Sequence, residues 1–168
     1  MNDFKLVIRS WEGAEEYLKL NRVDWAVSIM NPKLWGPPKL PSRTLHLAFH
    51  DVLYSPNKHI RAPRETHIRT LLEFTDRINK GTVLFHCQAG ISRSTAAALI
   101  MMAQKMGPGF EPEAMDAVYR VRKCASPNRT MVELADRLLG RQGALLQAMD
   151  EHISDKGGDE EIQKLWVP

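Results

Sequence analysis

A cysteine, a glycine and an arginine stand close together in HCQAGISRS, residues 86–94. A loop that follows a strand and opens a helix turns backbone N–H groups inward at the positive end of the helix dipole, which suits an anion. Gly90 lets the backbone approach an oxyanion closely, and Arg93, six positions after Cys87, can contact two of its oxygens. The same positive surroundings favour the nucleophilic thiolate of Cys87. The segment therefore predicts a phosphate-binding loop with a nucleophile at its floor.

Cys87 also has a plain structural interpretation, because a cysteine in an apolar stretch usually behaves as a small hydrophobic residue. The context favours the chemical interpretation instead. TVLF precedes the segment and is typical of a strand, and STAAALIMMAQKM, residues 94–106, is typical of a buried helix. A strand before the loop and a helix after it are the setting that an anion-binding loop requires.

HCQAGISRS resembles the signature of the cysteine-dependent protein tyrosine phosphatase superfamily: His-Cys, five residues, Arg, then Ser or Thr. AGISRS is most similar to the dual-specificity branch, and the likeness extends over residues 45–139, as in a small, bacterial-type stand-alone domain. It implies hydrolysis of phosphate monoesters through a phosphocysteine intermediate, with Cys87 as the nucleophile and Arg93 holding the phosphate. Ser94 would ease departure of the sulfur, and His86 would fix the loop through hydrogen bonds. The loop residues implied in substrate binding, besides Arg93, are Gln88, Ala89, Gly90, Ile91 and Ser92.

The resemblance also implies a general acid, an aspartate on a loop upstream of the cysteine. Asp51 lies 36 positions before Cys87 and is the preferred candidate. The Trp-Pro-Asp form of that loop is absent, since the sequence has FHDV here. Asp76 is the alternative, but it falls on a predicted helix and is interpreted as a solvated surface charge.

Two further features lie downstream. ASPNRT, residues 125–130, resembles the Pro-Asn segment beside the phosphate loop in dual-specificity members, which makes Asn128 a supporting residue. Asn128 is equally well placed to cap the helix that follows. Cys124 has no signature around it and is interpreted as a structural thiol, with a reversible disulfide to Cys87 as a minor alternative.

The substrate is less determined than the reaction. The loop interior lacks the lysines of phosphoinositide-directed relatives, which favours phosphotyrosine in proteins, with phosphoserine and phosphothreonine also open. Phosphoinositides or other non-protein phosphates remain an alternative, as does a phosphate-binding module with little turnover. Redox sensing is a third, because an exposed thiolate is prone to oxidation. No cofactor is implied, and the six histidines are scattered without metal-ligand spacing.

The surrounding sequence predicts the elements that position the loop. Strands are expected at 4–10, 24–30, 44–52 and 82–86, and helices at 11–20, 65–79 and 94–106, with two more helices starting near Pro112 and after Asn128. TVLFH is continuous and β-favouring, as in a central strand covered on both faces. The predicted fold class is α/β: a central, mostly parallel sheet of about four to five strands flanked by helices, with an all-helical C-terminal half.

The length of 168 residues fits one catalytic domain, predicted at 1–149. Residues 150–168 are predicted to be a tail, either frayed or docking through Leu165, Trp166 and Val167. A content of 43% hydrophobic and 26% charged residues excludes a disordered or fibrous class.

Composition also narrows location and partners. No apolar run approaches the roughly 20 residues of a membrane span, and the N-terminus lacks an export signal. Two cysteines exclude a disulfide framework, so a cytoplasmic protein is expected. The net charge of +3 mildly favours anionic partners, and its spread along the chain gives no support to nucleic acid. The resemblance implies a phosphorylated protein or a small phosphate monoester as partner.

Overall fold

The computed structural model describes residues 3–156. Its strands are β1 (Asp3–Arg9), β2 (Trp25–Met30), β3 (Thr44–Ala48) and β4 (Lys80–His86). Its helices are α1 (Trp11–Leu20), α2 (Glu65–Asp76), α3 (Arg93–Met106), α4 (Glu111–Val121), α5 (Arg129–Leu138) and α6 (Ala144–Lys156). Strands and helices are interleaved up to β4, and only helices follow it, as the sequence predicts. None of the helices in this range is long and apolar enough to cross a bilayer.

The four strands form one sheet in the order β1-β4-β2-β3, and every neighbouring pair is parallel. The predicted α/β class is therefore confirmed. Parallel strands share their carboxyl edge, which is where ligands bind in open α/β sheets. β4 delivers Cys87 to this edge, β2 leads into Asn31, and β3 leads towards Asp51.

Both faces of the sheet are covered, because successive side chains of a strand point to opposite sides. On one face, Val7 and Leu84 pack with Ala14 of α1. On the other, Ile8 and Phe85 join the larger core, to which α2 to α6 all contribute. Helix α3 is buried along most of its length, and this explains why its sequence is apolar nearly all round.

Strand β3 is shorter than predicted. It ends at Ala48, whereas the sequence interpretation extended it to residue 52. The backbone leaves the sheet after Phe49 and pairs with a later part of the loop: His50 N–H donates to the Arg61 carbonyl at 2.7 Å, and Arg61 N–H donates to His50 Nδ1 at 3.0 Å. Asp51 consequently lies in an irregular loop at the carboxyl edge.

Helix α6 continues through residue 150, where the predicted tail begins. Asp150 accepts a hydrogen bond from Arg129 Nη1 at 2.7 Å, and the His152 ring packs edge-on against Tyr119 with 4.6 Å between centroids. The division at residue 149 stays a prediction. The proposed docking residues Leu165, Trp166 and Val167 lie outside the described residues.

Candidate active site

The loop between β4 and α3 wraps around the sulfur of Cys87. This side chain is 1% exposed, and its Sγ accepts a hydrogen bond from Gly90 N–H at 3.2 Å. Ser94 Oγ, in the first turn of α3, lies 3.2 Å from the same sulfur. The sulfur therefore lies at the bottom of the loop, with one backbone N–H donating to it and one hydroxyl within hydrogen-bond distance of it.

Gly90 is required by close packing as well as by its backbone angle. Its φ is +69°, and a Cβ at this position would lie 2.5 Å from both the Arg9 carbonyl carbon and Ser10 N. The loop is held against the same segment by Trp11 N–H, which donates to the Gln88 carbonyl at 3.1 Å. No other residue type fits this contact without moving the backbone.

We expect Gly90→Ala to cost more stability than Gly140→Ala, which is a matched control. Gly140 has nearly the same φ of +66° but no atom within 4 Å of a Cβ added there. Both variants should lose about 1 kcal/mol to backbone strain, and Gly90→Ala should lose a further 1–3 kcal/mol, roughly, from overpacking. Urea unfolding measures both losses. Equal losses would show that the contact with Arg9 and Ser10 has no energetic weight.

Arg93 is anchored on one side and available on the other. Its side chain is buried, and Nη1 donates to Asn31 Oδ1 at 2.8 Å and to the Phe49 carbonyl at 2.7 Å. These bonds use both Nη1 hydrogens. Nε is buried and has no hydrogen-bond partner among residues 3–156, with Asp51 Oδ2 3.9 Å away. The Nε and Nη2 edge of the guanidinium can therefore bind an oxyanion through two parallel hydrogen bonds.

Asp51 lies over the loop. Its Oδ1 accepts hydrogen bonds from Ser92 Oγ at 2.7 Å and Asn128 Nδ2 at 2.8 Å, and the side chain is 36% exposed. Asp76 is elsewhere: it ends α2 just before β4 begins, at the amino edge of the sheet, whereas Cys87 follows the carboxyl end of β4. The structure thus brings Asp51, and not Asp76, to the loop.

Asn128 has both of the roles considered for it. Its Oδ1 accepts from Met131 N–H at 3.2 Å, which caps the N-terminus of α5. Its Nδ2 donates to Asp51 and, at 3.4 Å, to the Val52 carbonyl. Because the cap fixes the amide, the same side chain also fixes the position of the Asp51 carboxylate.

Arg122 is a site residue that the sequence interpretation missed. Its Nε donates to the Gly90 carbonyl at 2.8 Å and its Nη2 to the Ala89 carbonyl at 3.2 Å. In a trans peptide the carbonyl and the next N–H point in opposite directions. By holding the Ala89 carbonyl outward, Arg122 turns Gly90 N–H inward to the sulfur. Nothing distinguishes Arg122 from the neighbouring basic residues of RVRK, and Asn31 likewise carries no sequence signal.

His86 is buried at the end of β4. Burial disfavours the charged ring and lowers the pKa of His86 to about 4, against a smaller opposing effect of the Cys87 backbone. The ring is therefore neutral at neutral pH. Neither ring nitrogen has a hydrogen-bond partner of good geometry in the described part of the chain, so the predicted bonding of His86 to the loop stays a prediction.

The remaining predicted residues line the mouth of the site or stand apart from it. A cavity of about 470 Å³ above the loop is lined by Asn31, His50, Asp51, Val52, Gln88, Ala89 and Arg93. Cys124 is half-buried, and its thiol and that of Cys87 are both free. From residue 3 to residue 156, no three His, Cys, Asp or Glu side chains are arranged to hold a metal ion.

We compared the sequence and the structure with those of known proteins. No protein-family model matches the sequence. Dual specificity protein phosphatase 15 from Rattus norvegicus and from Mus musculus are each 35% identical to it over 68 residues, which are 39% of this chain and 28% of the relative. The chain thus matches little more than a quarter of the length of these curated relatives.

Solved structures match over much more of the chain. Human DUSP28 has a TM-score of 0.60 at 21% identity, covering 83% of this chain and 94% of its own. Human tyrosine phosphatase-like serine/threonine/tyrosine-interacting protein has a TM-score of 0.61 at 19% identity, covering 83% and 93%. PTPMT1 in complex with PI(5)P has a TM-score of 0.58 at 18% identity, covering 83% and 92%. The resemblance seen in HCQAGISRS is confirmed at the level of the fold, since the chain shares the fold of these dual-specificity and tyrosine phosphatase-like proteins.

Proposed function

We propose that this chain is a cysteine-dependent phosphatase of phosphate monoesters, with phosphotyrosine in proteins as its first substrate class and phosphoserine and phosphothreonine as further ones. One observation carries the proposal. The Cys87 sulfur lies at the floor of an anion-binding loop, contacted by Gly90 N–H and the Ser94 hydroxyl. A nucleophile in that position faces the phosphorus of a phosphate bound in the loop and can attack it.

In the first step, the Cys87 thiolate attacks phosphorus and the bond between phosphorus and the leaving oxygen breaks. The loop N–H groups and the free edge of Arg93 bind the three non-bridging oxygens, where charge is spread in the transition state. Asp51 gives its proton to the leaving oxygen. The products are a phosphocysteine and a free phenol or alcohol.

In the second step, water attacks the phosphorus of the phosphocysteine while the Asp51 carboxylate takes a proton from that water. The bond between sulfur and phosphorus breaks, and its electron pair returns to the sulfur. The Ser94 hydroxyl, 3.2 Å from the sulfur, donates a hydrogen bond to the returning thiolate. Inorganic phosphate leaves and the site is restored.

The surroundings of Asp51 support one of its two oxygens as the place of the mobile proton. Oδ1 already accepts two hydrogen bonds, from Ser92 and Asn128, so it is the worse place for a proton. We therefore assign the proton exchange to Oδ2, the oxygen nearer Arg93.

The Asp51→Asn variant tests whether this site turns over substrate or only binds phosphate. We expect kcat for phenyl phosphate, whose leaving group needs protonation, to fall by about 10²–10³-fold. The dissociation constant for inorganic phosphate should stay within about twofold, because Arg93 and the loop are unchanged. Asp76→Asn is the matched control and should behave as the parent protein does.

A fall in kcat with Asp76→Asn and none with Asp51→Asn would overturn the assignment. If the parent protein binds phosphate yet does not turn over phenyl phosphate, the alternative of a phosphate-binding module applies. The complex of the similar protein PTPMT1 with PI(5)P makes phosphoinositides the second substrate class to assay. A reducing compartment such as the cytoplasm is the proposed setting, because the mechanism requires a free Cys87 thiol.

A further inference from the structure

A second cavity adjoins the one above Cys87. We call it the side groove; its volume is about 480 Å³, and the apolar residues in its walls are Val52, Leu53, Ala89, Ile91 and Pro127. It shares Asp51, Val52 and Ala89 with the cavity above the loop. A molecule bound in one cavity can therefore extend into the other without leaving the surface.

The walls of the side groove are fixed to one another. Asn128 Nδ2 donates to the Val52 carbonyl at 3.4 Å and Thr130 Oγ1 to the Leu53 carbonyl at 2.8 Å, which ties the loop after β3 to the start of α5. Ser126 N–H donates to the Ile91 carbonyl at 2.9 Å, which ties the phosphate loop to the segment before α5. The groove is thus preformed, and little ordering cost opposes a ligand that enters it.

The charge around the side groove disfavours an acidic occupant. The one cation among the described residues that line the side groove is Arg129, which lies 2.7 Å from Asp150 and 3.3 Å from Glu133, so two carboxylates neutralise it. Leu53, in contrast, is 55% exposed and offers apolar surface that a bound apolar group would cover.

We propose that the side groove is a substrate subsite that takes an apolar side chain flanking the phosphorylated residue of a polypeptide. The inference rests on the proposed function and adds the class of substrate to it. Consecutive Cα atoms of a peptide are about 3.8 Å apart, so a residue one or two positions from the phosphorylated one can reach an adjoining cavity. Burial of a leucine side chain there should raise kcat/KM about tenfold over glycine.

The test uses short phosphotyrosine peptides that carry Leu, Gly or Glu at each of the two positions on either side, with Ala elsewhere. For the parent protein we expect the Leu-to-Gly ratio of kcat/KM to reach about ten at one position, and Glu to be no better than Gly. Leu53→Ala should bring that ratio to about three or below, because the apolar wall is shortened while the Thr130 bond to the backbone of residue 53 is retained. Leu20→Ala, at a leucine 86% exposed on α1, is the control and should keep the parent ratio.

A Leu-to-Gly ratio near one at every position overturns the subsite, as does a ratio that Leu53→Ala and Leu20→Ala leave equally unchanged. Failure of the proposed function looks different, since then neither the peptides nor phenyl phosphate are hydrolysed. In that case the dissociation constants of the same peptides, measured by fluorescence anisotropy, give the same Leu-to-Gly comparison. A Leu preference that Leu53→Ala reduces supports the groove, and its absence overturns it.

Discussion

Replacing Cys87 with serine will abolish release of phosphate from phenyl phosphate, lowering kcat by at least about 10⁴-fold. A serine hydroxyl is not ionised at neutral pH, and the hydrogen-bond partners of the Cys87 sulfur among residues 3–156, Gly90 N–H and the Ser94 hydroxyl, include no base that would activate it. Serine is close to cysteine in size, so the loop should keep its shape. Steady-state release of phosphate by the two proteins, prepared side by side without added metal, measures the effect.

Two controls test whether the loss of turnover comes from the Cys87 thiol itself. Cys124→Ser removes the other free thiol, which is half-buried and belongs to no predicted catalytic group, and it should retain the parent rate. Tungstate binding to Cys87→Ser should persist, because Arg93 and the loop N–H groups remain. Turnover by Cys87→Ser comparable with that of the parent protein would refute the phosphocysteine route. Loss of turnover in Cys124→Ser would show that Cys124, and not Cys87 alone, is needed for the reaction.

Arg93→Lys should lower kcat/KM by about 10³-fold although it keeps the charge. The guanidinium of Arg93 holds Asn31 Oδ1 and the Phe49 carbonyl with Nη1 while its other edge remains for the oxyanion. A lysine ammonium is a single point with three donors and cannot satisfy both buried acceptors and bind two phosphate oxygens together. The same titration of phenyl phosphate that yields kcat/KM measures the loss.

Arg141→Lys is the matched control for a buried arginine. Arg141 is also buried, pairs with Glu111 at 3.4 Å and donates to the Ala103 carbonyl at 2.9 Å, but it belongs to the helical half and not to the loop. We expect it to lower the urea midpoint while leaving kcat/KM of the folded protein unchanged. Equal losses of kcat/KM in the two variants would attribute the effect of Arg93 to folding and not to phosphate.

The local features of the site could be predicted because they depend on neighbours in sequence. Cys87 and Gly90 both lie in the short segment between the end of β4 and the start of α3, so the order of residues already specifies a loop at a strand end that opens a helix. The Ser10 cap of α1 is also local, since its hydroxyl accepts Gly13 N–H at 3.1 Å from three residues along the chain. Side chains that act within a few residues of their own position leave a pattern in the sequence.

The support around the loop could not be predicted because it comes from distant segments. Asn31 reaches Arg93 across 62 residues, and Arg122 reaches Gly90 across 32. Each is one polar residue among others of its kind, and only the packing of β2 beside β4 and of α4 against α3 brings them to the loop. The end of β3 at Ala48 could not be predicted for the same reason, because it depends on the pairing of His50 with Arg61, eleven residues later.

The preference for Asp51 came from the family resemblance. The sequence by itself determined the α/β class, the parallel sheet and the strand-loop-helix order that holds Cys87 and Arg93. These follow from residue types at short spacing and from the alternation of strands with helices. Only the tertiary structure decided which side-chain oxygens and nitrogens of Arg93 and Asp51 already have hydrogen-bond partners within the protein. It also decided that the side groove adjoins the cavity above the loop. The physical reason is that hydrogen-bond partners and cavity walls are set by contacts between segments far apart in the chain, which the spacing of residues along the chain does not specify.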